Sequence, residues 1–387
     1  RAHLLVGPRQ AGKSTAIWAH LAAVGEPALY VDCEQALVRE WCRSAPLFLA
    51  ELEALVGRPV ALFFDEVQHL ENAGLFVKGL VDRKVNVPVL VTGSASYHLG
   101  AKVHESLAGR ATRARLLPLA FSEVCYDLPD SSPLARSREI SDRLLRHVAI
   151  GGYPDVWLGD DPQVHLTDLL EAFILRDAGD LFKIARPDAF RRLLQLLAGQ
   201  CGSLVNLSEW ASLVGVSRDT VAAYLEILEA SHVTVSLPPF AGGKRSELTR
   251  TSKIYFVDIG IRNQLVHDLR PIDQRADAGP VLESWVFTEL WKVLPSTAGL
   301  HYWRSTSKAE VDFVVARGDQ IIGVEVKAGN LGRPNVPRSA RSFMEGYQPK
   351  NFLIVSKDIV ATDRIGATEI RWLGPQDVAA VVAELLR

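Results

Sequence analysis

The first third of the chain alternates short apolar runs with stretches of helical period. Residues 3–6, 28–31, 59–64 and 87–94 are compact apolar runs, each closed by Gly, Asp or hydroxyl residues, as buried parallel strands are. Residues 14–24, between the first two runs, read as a helix. Strands and helices in this alternation predict a parallel α/β sheet that binds ligands at the carboxyl ends of its strands.

Beyond residue 118 the period changes. Residues 118–123 open a helical stretch that resumes after a soft loop, 129–133. Residues 139–149 carry apolar positions at helical spacing, Gly151-Gly152-Tyr153-Pro154 ends that run, and a further helix covers 166–182. Residues 207–214 predict a short helix with Ser208 as candidate N-cap, 215–217 a turn, and 218–229 a second helix with Val221, Leu225 and Leu228 on one face. That is a helix-turn-helix. Residues 233–237 and 253–257 pair as a β-wing around a basic loop with Lys244, Arg245, Arg250 and Lys253. A polar, Pro-containing linker (270–280) leads to a helix over 281–294, then strands over 311–315, 321–327, 351–356 and 369–373, a small α/β sandwich. Gly318-Asp319 is a two-residue hairpin signal. With those residues as the turn, Asp312 faces Glu325, Glu310 faces Lys327, and all four side chains share one face of the sheet.

Composition adds limits. At 387 residues the chain exceeds one compact core, and 48% hydrophobic with 23% charged residues is an ordinary globular balance. A net charge of −2 excludes a wholly basic nucleic-acid coat. No apolar run approaches the roughly 18 residues that cross a bilayer, so no membrane partner is expected. Cys33, Cys42, Cys125 and Cys201 are scattered without paired spacing, which indicates neither a zinc site nor a disulfide framework and fits a cytoplasmic setting. The chain starts at Arg1, directly before its first motif, so a missing N-terminal piece is expected.

The chemistry is concentrated at the strand ends. Gly7-Pro8-Arg9-Gln10-Ala11-Gly12-Lys13-Ser14, followed by Thr15, fits the phosphate-loop template G-x-x-x-x-G-K-[ST] between a strand and a helix. Its backbone N–H groups would cradle the phosphates of ATP, Lys13 would reach the β/γ-oxygens, and the Ser14 hydroxyl would ligate Mg²⁺. Asp65-Glu66 closes the 59–64 strand in the Walker B pattern, Asp65 holding Mg²⁺ and Glu66 acting as general base. Thr92 or Ser94, at the end of the next strand, would hydrogen-bond the γ-phosphate or the attacking water.

GPRQAGKST, FFDEVQ, VTGSAS and then SLAGR…LLPLAFSEV, in that order, resemble a prokaryotic family of AAA-type ATPases with a C-terminal domain of unknown function. The resemblance covers nearly the whole chain. It implies a polar sensor at Ser94, a helical lid over the nucleotide, and Arg110 near a γ-phosphate, in its own subunit or a neighbour's; a plain surface arginine is the alternative. Glu283, Asp312, Glu325 and Lys327 resemble the Glu…Asp…Glu-x-Lys site of the restriction-endonuclease-like superfamily, PD-(D/E)xK, although Val311 stands where that motif has proline. Hard carboxylate oxygens suit Mg²⁺ or Mn²⁺. A metal-free cross-strand ion-pair ladder would account for Glu310 with Lys327, but leaves like charges opposed at Asp312 and Glu325.

The expected architecture is α/β: a P-loop AAA-like core (1–118), a helical lid (119–185), a winged helix (186–270) and a nuclease-like α/β domain (271–387). The expected function is an Mg²⁺-dependent ATPase whose nucleotide state controls a DNA-directed nuclease module, in defence or as a toxin. The alternative is a non-cleaving nucleotide-dependent switch that binds DNA or a regulatory protein. A homo-oligomer is compatible with either.

Overall fold

The computed structural model of the chain describes every residue except 26–27, 56–60, 84, 86, 94–108, 129–131, 174–183 and 243–250. Ser94, most of the basic loop and the end of the 166–182 helix lie outside the described residues. The chain forms two compact units, Arg1–Pro118 with Leu225–Val233, and Leu119–Tyr224 with Thr234–Arg387. Among the described residues no helix is long and apolar enough to cross a membrane.

The first unit holds a five-stranded parallel sheet: β1 (Ala2–Val6), β2 (Ala28–Asp32), β3 (Ala61–Asp65), β4 (Val89–Gly93) and β5 (Ala111–Arg115), in the order β2-β3-β4-β1-β5. Every residue of β3 is buried, as its unbroken apolar run requires of a strand covered on both faces. Leu62 and Phe64 pack into a cluster with Phe48 and Phe76, whose rings meet the Phe64 ring at 5.4 and 5.3 Å. Phe63 turns to the other face, against Ile17 and Leu21 of the helix Lys13–Val24. Val6 pairs with Gly93, and Phe64 with Val91, so the loop after β1 and the acids ending β3 come to one edge of the sheet. The sequence pattern did not show β5. Its residues after Ala111 are exposed and mostly polar, because an edge strand is half solvated and leaves no apolar run to read.

In the second unit, helices Pro133–Ile150, Pro162–Ala172, Pro187–Gly199 and Leu207–Val214 precede the antiparallel pair β6 (Thr234–Leu237) and β7 (Lys253–Phe256). The helix Arg218–Ala230 leaves its last turns, from Leu225, in the first unit. The cap of Leu207–Val214 is Asn206, whose side chain accepts from the Glu209 amide at 3.2 Å, and not the expected Ser208. Asn at N-cap with an acid three residues on does the same work two residues earlier. Residues 270–280 are no linker either. Ile272 is buried, and Arg275 and Arg262 both clamp Asp277 at 3.0 Å or less, which holds that carboxyl at about 2. Gly151 sits at φ 76°, and a Cβ there would lie 2.1 Å from the Asp258 carboxylate, which accepts from the Gly152 and Gly260 amides.

The helix Ala278–Val293 then precedes a six-stranded mixed sheet, β8 (Gly299–Arg304), β9 (Glu310–Arg317), β10 (Gln320–Lys327), β11 (Asn351–Ser356), β12 (Ala361–Ile365) and β13 (Thr368–Leu373), ordered β12-β13-β11-β10-β9-β8. Trp303, Phe343 of the helix Arg338–Tyr347, Phe352 and Trp372 fill one core. Phe287 of the helix Ala278–Val293 stacks on Tyr255 (4.3 Å) and meets Phe313 (6.2 Å). Those aromatic contacts fix the helix that carries Glu283 beside β7 and β9.

Candidate functional sites

Backbone shape makes the first site. Gly7 has φ 156°, and a Cβ there would fall 1.9 Å from the Leu116 carbonyl oxygen; Gly12, at φ 90°, starts the helix with no side-chain cap, leaving its first amides for a ligand. Lys13, 4% exposed, folds over this loop: Nζ donates to the Pro8 carbonyl at 2.9 Å and lies 3.8 Å from the Glu66 carboxylate. Ser14 donates to Asp65 Oδ1 at 2.9 Å, and the Tyr30 hydroxyl to Oδ2 at 3.1 Å; burial first, then Asp65, pushes that phenol up. A serine hydroxyl and a carboxylate meeting above the loop are the hard-oxygen pair that Mg²⁺ takes beside phosphates, so these residues fit that ion.

Thr92 binds the acids: its hydroxyl donates to Asp65 and accepts from the Glu66 amide at 2.9 Å. Glu66 itself is left-handed (φ 52°), a strained setting for a residue with a Cβ, and the Gln68 amide donates to its carboxylate. Arg9 pairs with Glu34 at 3.1 Å, while Gln10 and Thr15 are exposed. Arg110 is turned to Asp82 at 2.6 Å and is about two-fifths exposed; in its own chain an aspartate holds it.

The sequence reading missed His232. It lies in the segment that joins the first unit after the helix Arg218–Ala230, at φ 57°, and its ring is pushed down to about 4 by burial and then by Arg115, Lys13 and Arg113. No periodicity marks it, because a single left-handed residue past a helix end leaves no pattern.

The second site lies where β9 and β10 part. Their register runs from Gln320↔Arg317 to Val324↔Phe313, the pairing expected from the Gly318-Asp319 turn. Asp312 then leaves the ladder: its carboxylate, rather than its main chain, accepts from the Val326 amide at 2.7 Å. Burial, with Glu283 and Glu325 nearby, pushes the Asp312 carboxyl well up. Glu325 is 4% exposed; Oε1 accepts from Lys327 at 2.7 Å and Oε2 is buried with no partner. Glu283 accepts from the Tyr255 hydroxyl and lies 3.4 Å from Lys253 Nζ. Thus Glu283, Asp312, Glu325 and Lys327 do converge.

Two expectations fail here. Glu310 does not pair with Lys327; it binds Lys253 at 2.6 Å and Arg304 at 3.5 Å, because the strands splay before that register position is reached. Lys253, assigned to the phosphate-binding wing, is 4% exposed and points into the carboxylates. Period-2 alternation placed it on a strand but could not say what would pack against that strand. The donors suit Mg²⁺ or Mn²⁺, and the orphaned Glu325 oxygen is an acceptor awaiting a partner. Yet among the described residues no three His, Cys, Asp or Glu groups stand close enough to hold a metal ion.

Residues 1–125 match a family described as an AAA domain, residues 141–272 a domain of unknown function (DUF8612), and residues 278–370 another (DUF4143). The chain is 28% identical over 359 residues to the uncharacterized protein Rv2008c of Mycobacterium tuberculosis, spanning 91% of this chain and 75% of that one. It is 26% identical over 241 residues to the uncharacterized protein MJ1544 of Methanocaldococcus jannaschii, 59% and 52% of the two chains. Among solved structures it is similar to the RuvB Holliday junction branch migration motor of Thermotoga maritima (15% identity, TM-score 0.32, 61% and 82%). It is also similar to AMPPCP-bound DnaA from Aquifex aeolicus (13%, TM-score 0.24, 58% and 80%). The chain thus combines an AAA domain carrying the phosphate loop with a C-terminal DUF4143 domain.

Proposed function

We infer that this ATPase uses its nucleotide state to control a metal-dependent, DNA-directed nuclease module built from Glu283, Asp312, Glu325 and Lys327, in a defence or toxin setting. The observation that carries the reading is the parting of β9 and β10 at Asp312, which brings three carboxylates and a lysine together and leaves Glu325 Oε2 without a partner.

In the first site Ser14 and Asp65, which already meet, would hold Mg²⁺ beside ATP, and Lys13 would turn from the Pro8 carbonyl to phosphate oxygens. Bound Mg²⁺ supplies charge neutralisation at the phosphates. Glu66 is kept in place by Gln68 and by its own constrained backbone, ready to take a proton from water. Ser94 is the proposed polar sensor. In the second site a divalent ion, once bound, would supply a polarised water or phosphate oxygen. There Asp312, Glu325 and Glu283, the last aimed by Tyr255, would hold it together with Glu310, and Lys327 would steady charge on the phosphate.

A non-cleaving, nucleotide-dependent switch that binds DNA or a regulatory protein is the second reading. It is favoured by the lysine pairs that Glu283, Glu310 and Glu325 already make without a metal. Plasmid DNA incubated with purified protein and Mn²⁺, with and without ATP, separates them. Nicking that depends on Asp312 supports the first; no cleavage of DNA or RNA under any nucleotide condition supports the second.

A further inference from the structure

Lys253 is an unusual lysine. It sits on β7 with its main chain fixed on both sides, paired with Leu237 and bridged to Leu204, so its Cα has little freedom. Its ammonium lies 2.6 Å from Glu310, 3.4 Å from Glu283 and 5.4 Å from the ring centre of Tyr302. Burying an ammonium this way is expensive, and ion pairs that serve only stability are often matched or bettered by apolar packing.

We propose that Lys253 is a tethered cation occupying the metal position of the carboxylate cluster, and that a divalent ion must displace its ammonium in order to bind. This rests on reading the cluster as a metal site. It names the regulation of that site: a competition between an internal lysine and Mg²⁺ or Mn²⁺.

Geometry explains why the two exclude each other. An ammonium offers three donors and holds carboxylate oxygens near 2.8 Å, whereas Mg²⁺ or Mn²⁺ draws about six oxygens to roughly 2.1 Å. With Lys253 between Glu310 and Glu283, those carboxylates are held at ammonium distance, and among the described residues no three acidic groups close to metal distance. One lysine also cannot satisfy every oxygen present. The partnerless Glu325 Oε2 is what remains, and a divalent ion has the coordination number to use it. Lys327 differs: its side chain is 36% exposed and it pairs with Glu325 at 2.7 Å, so it can stay in place while a metal binds.

The test uses the full chain without nucleotide, melted against a Mn²⁺ titration, for the parent, Lys253→Met and Asp312→Asn. Lys253→Met should melt lower than the parent in EDTA, because its carboxylates lose their cation. It should be restored by Mn²⁺ with a half-saturating concentration at least tenfold below the parent's, and Asp312→Asn should not respond. A Lys253→Met response no tighter than the parent's overturns the competition and leaves the metal site standing. No Mn²⁺ response in either protein overturns both.

Should Lys253→Met fail to fold, amine-reactive labelling of the parent decides. Lys253 should be protected without Mn²⁺ and labelled once Mn²⁺ has raised the melting temperature, with exposed lysines as internal standards. Equal protection in both states overturns the proposal.

Discussion

The two sites of this protein use the same parts in opposite ways. Each has a carboxylate at a strand end, a second acid nearby and a buried lysine. In the first, one contiguous loop supplies Lys13 and Ser14, and Asp65-Glu66 are adjacent, so two short segments make the site. In the second, Glu283 comes from a helix, Lys253 from β7, and Asp312 and Glu325 from two strands that have parted. A site made of backbone amides keeps its shape without its ligand, since hydrogen bonds and φ angles hold the loop. A site made of buried carboxylates must offset its own charge; here two lysines bridge Glu283, Glu310 and Glu325, and burial beside those acids pushes the Asp312 carboxyl up.

The comparison breaks first at catalysis. Glu66→Gln keeps the side chain's size and removes the base, so ATP binding should persist while phosphate release falls by roughly 10²-fold or more. Unchanged steady-state release would move the role elsewhere. Lys13→Ala should instead weaken binding of a fluorescent ATP analogue severely, since it removes the cation that the loop sends to the phosphates; equal binding would unmake the phosphate-loop assignment.

Next is Asp312→Ala. It should abolish Mn²⁺-dependent cleavage yet leave ATP turnover within about twofold, because the two sites share no residue. Cleavage retained by this variant would show that the second cluster is not a catalytic one.

A smaller effect concerns acid. His147, 1% exposed, accepts from Trp285 Nε1 at 2.9 Å through Nδ1 and bonds the Leu119 carbonyl at 3.0 Å through Nε2. Burial pushes its ring down to about 4, and protonation would set an N–H against the indole N–H. Its folded pKa lies below the ordinary 6.5, so the unfolded chain binds the proton first. Stability should fall as pH drops from about 6.5 to 4, by up to about 3 kcal/mol. Trp285 is on the same helix as Glu283, so the loss falls on the second unit. Urea melts of the parent and of His147→Gln across that range check it; an equal slope in both would acquit this histidine.

The smallest effect is at Arg110. Its pair with Asp82 is well exposed, so Arg110→Ala should change stability by less than about 0.5 kcal/mol and turnover by less than about threefold. A turnover loss near 10³-fold would mark it as an arginine finger acting on a neighbouring subunit.

The sequence by itself determined the phosphate loop, the acidic strand end, four of the five strands of the first sheet and the β9–β10 register. Each of these is written in neighbouring residues: a loop template, unbroken apolar runs, a Gly-Asp turn. The edge strand β5 and the packed 270–280 segment were not legible, since one is polar because it is half solvated and the other is polar because its buried Arg275, with Arg262, meets Asp277. Only the tertiary structure decided that Lys253 joins Glu283 and Glu310, that His232 comes to Lys13, and that Asp312 quits the ladder to bind the Val326 amide. The physical reason is range. Periodicity assigns a side chain to a face, but its partner across that face comes from another part of the chain, and the charge balance of a buried cluster exists only once all of its members have been brought together.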